Sequence, residues 1–339
     1  MKKILTIFPV LALIVSACAN VLEYKSDQEP EVLVMNASMR TDETTHTVFL
    51  SISHIGEAVP VKEAELQCFI NGEFVAEGTR VSDKNERVAG RYEFDAEIHP
   101  GDEVRLEARS GKLEAKATVT APQAAPLVAV DTVHIEHSQY YAFMGYDIPM
   151  LGCKLHLQDN PGQADWYRLF VLYEADTPDN AESTVDRRSI GFEFVRDPIL
   201  CDGNPPVQHV NASVFEIVPV FSEENAFCTF RDLPFADQAA DVEIEISYAL
   251  FSERYDYDPE KDEWGPVRTE NKRLRFELMT ISREEYEYLN LLGKVSDSAF
   301  EGLFLREPVH IPTNVEGGLG FVSVASASTK TVRLHEPEN

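Results

Sequence analysis

Residues 64–72 read Ala-Glu-Leu-Gln-Cys-Phe-Ile-Asn-Gly, an alternating run that ends in a turn signal. Ala64, Leu66, Cys68 and Ile70 recur with a period of two, which puts every apolar side chain of a strand on one face. The run ends on Asn71-Gly72, the pair best suited to the left-handed conformations of a two-residue hairpin turn. A half-buried strand entering a hairpin is therefore expected here. The same pattern extends outward. Upstream, Val32 and Val34, then Val48, Leu50 and Ile52, alternate with their neighbours. Downstream, Pro100-Gly101 and Ser110-Gly111 separate strand-like runs at 92–98, 104–108 and 113–119. Short strands with turn residues between them predict a β-sandwich over residues 31–122.

Pro122-Gln-Ala-Ala-Pro126 has two prolines and no bulky side chain, so residues 123–130 are expected to form a short, stiff linker with little to pack. The β pattern then resumes. Cys153, Leu155 and Leu157 alternate, Asn160-Pro161-Gly162 turns the chain, and residues 166–173 form an apolar run long enough for a buried strand. Val242, Ile244 and Ile246 alternate, as do Leu274, Phe276 and Leu278. Ser282-Arg-Glu-Glu285 breaks the pattern as a capping box, with the serine oxygen set for an orphan amide and the glutamate for the serine's own amide. The helix it starts carries Tyr288, Leu291, Leu292 and Val295 at three-and-four spacing, and Gly293 weakens its end. Residues 309–312, the Gly317-Gly318-Leu319-Gly320 turn and residues 321–325 read as strand, turn and strand. The expected class is mainly β. An N-terminal immunoglobulin-like or transthyretin-like sandwich precedes a larger β-rich domain, residues 131–339, with one short helix.

The N-terminus is of another kind. Lys2 and Lys3 precede an apolar run over 4–15 broken by Thr6 and Pro9, shorter than the roughly 20 residues a spanning helix needs. Val15-Ser16-Ala17-Cys18 then places small residues before a cysteine, the lipobox pattern. Residues 1–17 are expected to leave as a signal peptide, Cys18 to carry the acyl chains, and residues 18–30 to serve as the tether. The formal net charge of the whole chain is −28. Such a surface repels nucleic acid and anionic headgroups. Membrane contact is therefore expected through the lipid anchor alone, and no nucleic-acid partner is expected.

Gly-x-Ser-x-Gly, His-Glu-x-x-His and Cys-x-x-Cys motifs are all missing from the sequence, which removes the commonest hydrolase, zinc-protease and redox readings. No catalytic residue, metal or cofactor is expected. His134 and His137 stand three apart on a strand-like run and would point to opposite faces. Asp256, Asp258, Glu260 and Asp262 alternate like half of an EF-hand loop, but Lys261 holds the place of the turn glycine and Val267 that of the bidentate glutamate. A solvated hairpin tip is the expectation there. Residues 314–320 have glycines but no helix after them, so a tight hairpin is expected rather than a phosphate cradle. Two aromatic groups are candidate ligand or partner contacts: Tyr140, Tyr141 and Tyr146 with Phe143, and Tyr255, Tyr257 and Trp264. Aromatics on loops stack on sugars or grip peptides, and they also lie half-buried at strand ends. Cys68 and Cys153 read as core thiols, whereas Cys201 and Cys228, in irregular polar segments, are the pair expected to form a disulfide.

Ile281-Ser282-Arg-Glu-Glu-Tyr286-Glu-Tyr288-Leu289, Glu307-Pro308-Val309 and Asn314-Val-Glu-Gly-Gly-Leu-Gly-Phe321 form a distinctive ending. With the lipobox, the early sandwich and Trp166-Tyr-Arg-Leu169 after Asn160-Pro161-Gly162, the chain resembles a large Bacteroidetes family of envelope lipoproteins of unknown function. That family is similar in genomic habit to substrate-capturing lipoproteins beside TonB-dependent outer-membrane receptors. The resemblance implies outer-membrane placement and such a receptor as partner; it implies no catalytic residue and names no ligand. The chain departs from the family in its small residues over 325–331, where bulkier strand residues are usual. Asp131-Thr132-Val133 and Asp297-Ser298-Ala299 resemble sequences at which Bacteroidetes envelope proteins are O-glycosylated, with Thr132 and Ser298 as acceptors. Three functional classes follow: an accessory or ligand-binding lipoprotein, a structural envelope protein, and an unrecognised envelope enzyme such as a glycan hydrolase.

Overall fold

The computed structural model describes residues 31–54, 57–81, 90–138, 148–178, 185–194, 197–201, 225–251, 255–258, 263–296 and 311–334. The first body is the expected sandwich. One of its sheets contains β1 (Leu33–Arg40), β2 (Thr45–His54), β3 (Glu57–Pro60), β6 (Thr79–Arg80) and β7 (Arg91–Asp95). The other has the order β5 (Glu73–Glu77), β4 (Glu65–Ile70), β8 (Glu103–Ser110), β9 (Leu113–Thr120). Leu66 and Cys68 of β4 meet Met35, Leu50, Tyr92, Val104 and Leu106 in one core. Each large side chain so buried stabilises by about 1.5–3 kcal/mol. Asn71 and Gly72 both adopt positive φ, 52° and 85°, so the hairpin turn forms as its residues predict. The face of β1 is a correction. Leu33, Met35, Ala37 and Met39 point inward, and Val34 lies on the other face, bridged to Leu319.

The second body packs β12 (Trp166–Asp176), β13 (Val185–Ser189), β14 (Thr229–Arg231) and β18 (Glu270–Ile281) against a three-stranded sheet. That sheet has the order β10 (Leu127–Ile135), β11 (Met150–Gln158), β15 (Ala239–Ser247). A separate ribbon joins β16 (Tyr255–Asp258) to β17 (Glu263–Pro266).

The two bodies are not simply in series. The last strand, β19 (Val322–Arg333), pairs in parallel with β1 from Ala37–Val322 to Arg40–Ala325, then antiparallel with β18 from Thr280–Ser326 to Arg273–Arg333. One strand therefore belongs to both sandwiches, and a ten-stranded sheet runs through the molecule. Val315, Val322 and Val324 complete the first core, so the body expected over 31–122 needs the C-terminal segment. The strand runs to Arg333 rather than ending near 325. Its small residues fit a crossing point where both faces are covered: Ala325 and Ser326 are fully buried, and Ser326 Oγ donates to Pro122 O at 2.6 Å. The linker is also corrected. Ala125 and Leu127 are buried in the second core, and their amides donate to Thr280 Oγ1 at 2.9 Å and Ser328 Oγ at 3.0 Å.

Residues 314–321 form a clasp instead of the expected hairpin; of the strand expected over 309–312, residues 311–312 are not in a strand and 309–310 lie outside the described residues. Glu316 and Lys116 exchange backbone hydrogen bonds at the edge of one sheet, while Leu319 bonds to Leu33 and Met35 at β1 of the other. Gly317 and Gly320 take positive φ, as expected of these glycines. A Cβ on Gly318 would lie 2.3 Å from Leu33 O. Asn314 closes the loop by bonding both backbone groups of Val322.

The helix α1 (Arg283–Ser296) begins as predicted, with Glu285 N donating to Ser282 Oγ at 3.1 Å. Its packing differs. Among the described side chains Leu289 is the buried apolar one, Tyr286 and Tyr288 pack beside it, and Leu291 and Leu292 are half-exposed; the side chain of Val295 lies outside the description. Tyr288 stacks on Phe321, 4.3 Å between ring centres.

Candidate functional site

The outer face of the β10–β11–β15 sheet bears a groove of about 400 Å³. It forms because alternation sends Cys153, Leu155, Val242, Ile244 and Ile246 inward, leaving Gly152, Lys154, His156, Asp241, Glu243 and Glu245 on the other face. The register aligns these in three rows: Val133–Gly152–Glu245, Asp131–Lys154–Glu243 and Ala129–His156–Asp241. Gly152 makes the floor. It is in extended strand without positive φ, and a Cβ there would meet Ile135 Cδ1 at 2.7 Å and Val133 Cγ1 at 3.0 Å, side-chain atoms and not backbone. The tips of Ile135 and Val133 therefore close over the glycine, and a larger residue would have to push them aside. A glycine inside a strand often marks close approach by a ligand or another chain.

One wall is apolar, from Val133 and Ile135; the other is acidic, from Glu193, Glu243 and Glu245. Glu193 and Glu245 exchange backbone hydrogen bonds at 2.8 Å, which closes the β15 edge. Ser138 Oγ donates to Glu245 Oε2 at 2.5 Å. Lys154 Nζ sits 3.1 Å from Glu243 and 3.5 Å from Asp241. His156 is held between two carboxylates, Nε2 3.1 Å from Asp131 and Nδ1 2.7 Å from Asp241. Bonding to Asp131, then to Asp241, raises its pKa above the ordinary value. The bond to His156 lowers that of Asp241. The carboxylates outnumber the cations, so the groove suits a ligand with positive charge and an apolar part.

Few of the residues predicted from sequence come together here. Thr132 is exposed on β10 at the groove. Tyr140, Tyr141 and Tyr146 lie outside the described residues, as do Phe143, Cys18 and Ser298. Tyr255 is exposed on β16, opposite Pro266, and Tyr257 opposes Trp264 on β17. Asp256 and Asp258 belong to that ribbon, and no group of metal-ligating residues occurs among the described residues. His134 Nδ1 lies 2.9 Å from Tyr248 Oη. Cys68 and Cys153 are core thiols, pushed up to about 11 and about 12 by burial. The disulfide expected between Cys201 and Cys228 is not formed: both are thiols, and Cys201 Sγ is directed at Phe194 O, 3.8 Å away.

A second polar cluster lies beneath α1. Arg168 stacks between the rings of Phe170, 4.1 Å, and Phe227, 5.3 Å. Glu285 is 4 % exposed, and its Oε2 has no hydrogen-bond partner among the described residues. Its carboxyl turns inward to Arg168 and Ser323 instead of completing the capping box, and burial pushes its pKa up to about 7. Burial likewise lowers the pKa of Arg168, so desolvation outweighs their attraction.

Three of the segments quoted above meet in this place, since Arg168, Glu285, Tyr288 and Phe321 form one knot around β19, while residues 307–309 lie outside the described residues. A family model described as "Domain of unknown function (DUF4249)" matches residues 20–331. The chain belongs to this family. The DUF4249 knot is a structural element, because it joins helix, clasp and shared strand. No curated protein matches the chain. Among solved structures it is similar to a DUF4785 family protein from Legionella pneumophila, at 10 % identity and a TM-score of 0.23. The match covers 73 % of this chain and 52 % of that one, so this chain spans about half the length of that protein.

Proposed function

We propose that this DUF4249 protein is a non-enzymatic binding module, tethered to the outer membrane through acylated Cys18 and acting with a TonB-dependent transporter. The observation that carries the reading is the groove on the β10–β11–β15 sheet, whose size falls among known ligand sites and whose walls combine apolar and charged groups. The lipobox ending at Cys18 supports the anchor, and the resemblance to Bacteroidetes envelope lipoproteins supports the transporter. Anchoring raises the effective concentration of the body near any receptor in the same membrane, so modest contacts suffice.

The test is affinity purification from gently solubilised native membranes. The wild-type protein is expected to bring down a transporter at stoichiometric level or a retained ligand. The Cys18→Ser variant is expected to leave the membrane fraction while its body stays folded. Recovery of the lipoprotein alone, with neither transporter nor ligand, overturns the reading and favours an envelope enzyme.

A further inference from the structure

We infer that the outer edge of β10 is a docking site for an extended, basic segment of a partner protein, which adds to the β10–β11–β15 sheet as a further strand. The inference rests on the reading of the protein as a binding module and specifies how it binds.

A sheet edge presents unpaired backbone groups, and folded proteins blunt such edges. This chain does so almost everywhere. The ten-stranded sheet ends in β6, of two residues, and β13, of five. In the four-stranded sheet β5 has five residues, and β9 is met by the Lys116–Glu316 pair at 3.0 and 2.7 Å. Glu193 meets the β15 edge in the same way. β10 is different. It has nine residues and ends its sheet; its first end is tied down by the Leu127 amide bond to Ser328 and an irregular register at Leu127/Ala129, but among the described residues no backbone group beyond its own sheet bonds to residues 129–135. Val133 is 62 % exposed along this edge, and the strand's one carboxylate, Asp131, is engaged by His156 at 3.1 Å.

Charge selects the occupant. Asp131 on β10 and Glu193, Glu243 and Glu245 across the groove face Lys154 and His156, each already held by carboxylates. A second copy of this chain, at −28, would bring like charge to an acidic edge. A segment alternating basic and apolar residues fits instead. Residues two apart share a face, so its cations on the groove side would lie one strand spacing from Asp131, in the negative field of Glu243 and Glu245 on the far strand, while its backbone completes the ladder.

The experiment uses the lipoprotein in detergent and a nine-residue capped peptide alternating lysine and valine. Two twins carry backbone N-methyl groups at odd or at even positions, and a third peptide has glutamate for lysine. Calorimetry is expected to show binding by the parent peptide and weakening of one methylated twin by at least about tenfold, because only one phase of amides faces β10. The other twin is expected to bind as the parent does, and the glutamate peptide not at all. Val133→Lys, at an exposed position, is expected to abolish binding with an unchanged melting temperature. Equal binding by both twins, or binding indifferent to Val133→Lys, overturns strand addition and leaves the binding-module reading standing. So does failure of the parent peptide while a transporter still co-purifies. Dimerisation that Val133→Lys removes assigns the edge to a second copy and overturns the inference. Failure of peptide, transporter and ligand together overturns both readings.

Discussion

Arg40 Nη1 donates to Glu277 Oε2 at 2.7 Å, which joins the end of β1 in the first sandwich to β18 in the second. Glu277 is 2 % exposed and also lies 2.8 Å from Arg275 Nε. The pair sits beside the point where β19 changes partners, so the two cores share an ion cluster as well as a strand. Arg40→Ala is expected to cost about 2 kcal/mol, below the 3–5 typical of a broken buried pair because Arg275 remains. The two bodies are expected to unfold together in urea. Trp166 lies on β12 in the second body, so in a Trp264→Phe background its fluorescence reports that body, whereas circular dichroism reports both. Midpoints that separate by more than the error would defeat this expectation.

Gly320 has φ +108°, and a Cβ there would stand 2.2 Å from Met35 O. Gly320→Ala combines backbone strain with a clash against a strand that cannot move without opening the clasp. A loss of about 3 kcal/mol or more is expected. Gly162→Ala is the control, since its φ is +78° but nothing lies within 4 Å of the added atom. About 1 kcal/mol is expected there. Equal losses for the two variants in denaturant titrations would show that close approach is not what Gly320 provides.

The elements legible in the sequence are those governed by neighbours along the chain. Leu66 and Cys68 on β4, Val242 to Ile246 on β15, the Asn71-Gly72 turn and the Ser282 cap each depend on spacing or on one local hydrogen bond. What escaped depends on partners far away. The clasp needs Leu33 and Met35 beside Leu319, nearly 300 residues later. Glu285 satisfies the local rule for a capping box, yet its side chain goes to Arg168, brought in by β12. The groove combines residues from three separated strands, and Gly152 alone looks like an ordinary weak point in a strand. Its outward partners Lys154, His156, Glu243 and Glu245 were visible as the polar half of two alternating runs, but only pairing β11 with β15 sets them side by side.

Glu285 predicts a pH dependence with a definite sign. Burial raises its pKa from 4.5 to about 7, so the folded state holds the proton more tightly than the unfolded chain does. The associated stability is fully present below about pH 4.5 and is lost as pH rises towards 7. Its size is on the order of 3 kcal/mol for a carboxyl buried to this degree. Glu285→Gln removes the titration and keeps the shape. The stability difference between wild type and Glu285→Gln is therefore expected to change across this window and level off above it. A constant difference from pH 4 to pH 8 would mean that Glu285 does not titrate as its surroundings require.

His156 tests the groove through its own charge. Both ring nitrogens face carboxylates, Asp131 and Asp241, so the protonated ring satisfies both and its pKa is raised above 6.5. The contribution of this contact is complete below pH 6.5 and fades as pH rises through the higher folded-state value. A titration followed by NMR is expected to place the His156 midpoint above that of an unperturbed histidine. Asp131→Asn is expected to lower it, and adding Asp241→Asn to lower it further. A cationic ligand in the groove would compete with the imidazolium for these carboxylates. Saturation with the lysine–valine peptide should then lower the midpoint, and by linkage the peptide should bind more tightly above that midpoint than below it. A midpoint unmoved by the bound peptide would place that ligand away from Asp131 and Asp241.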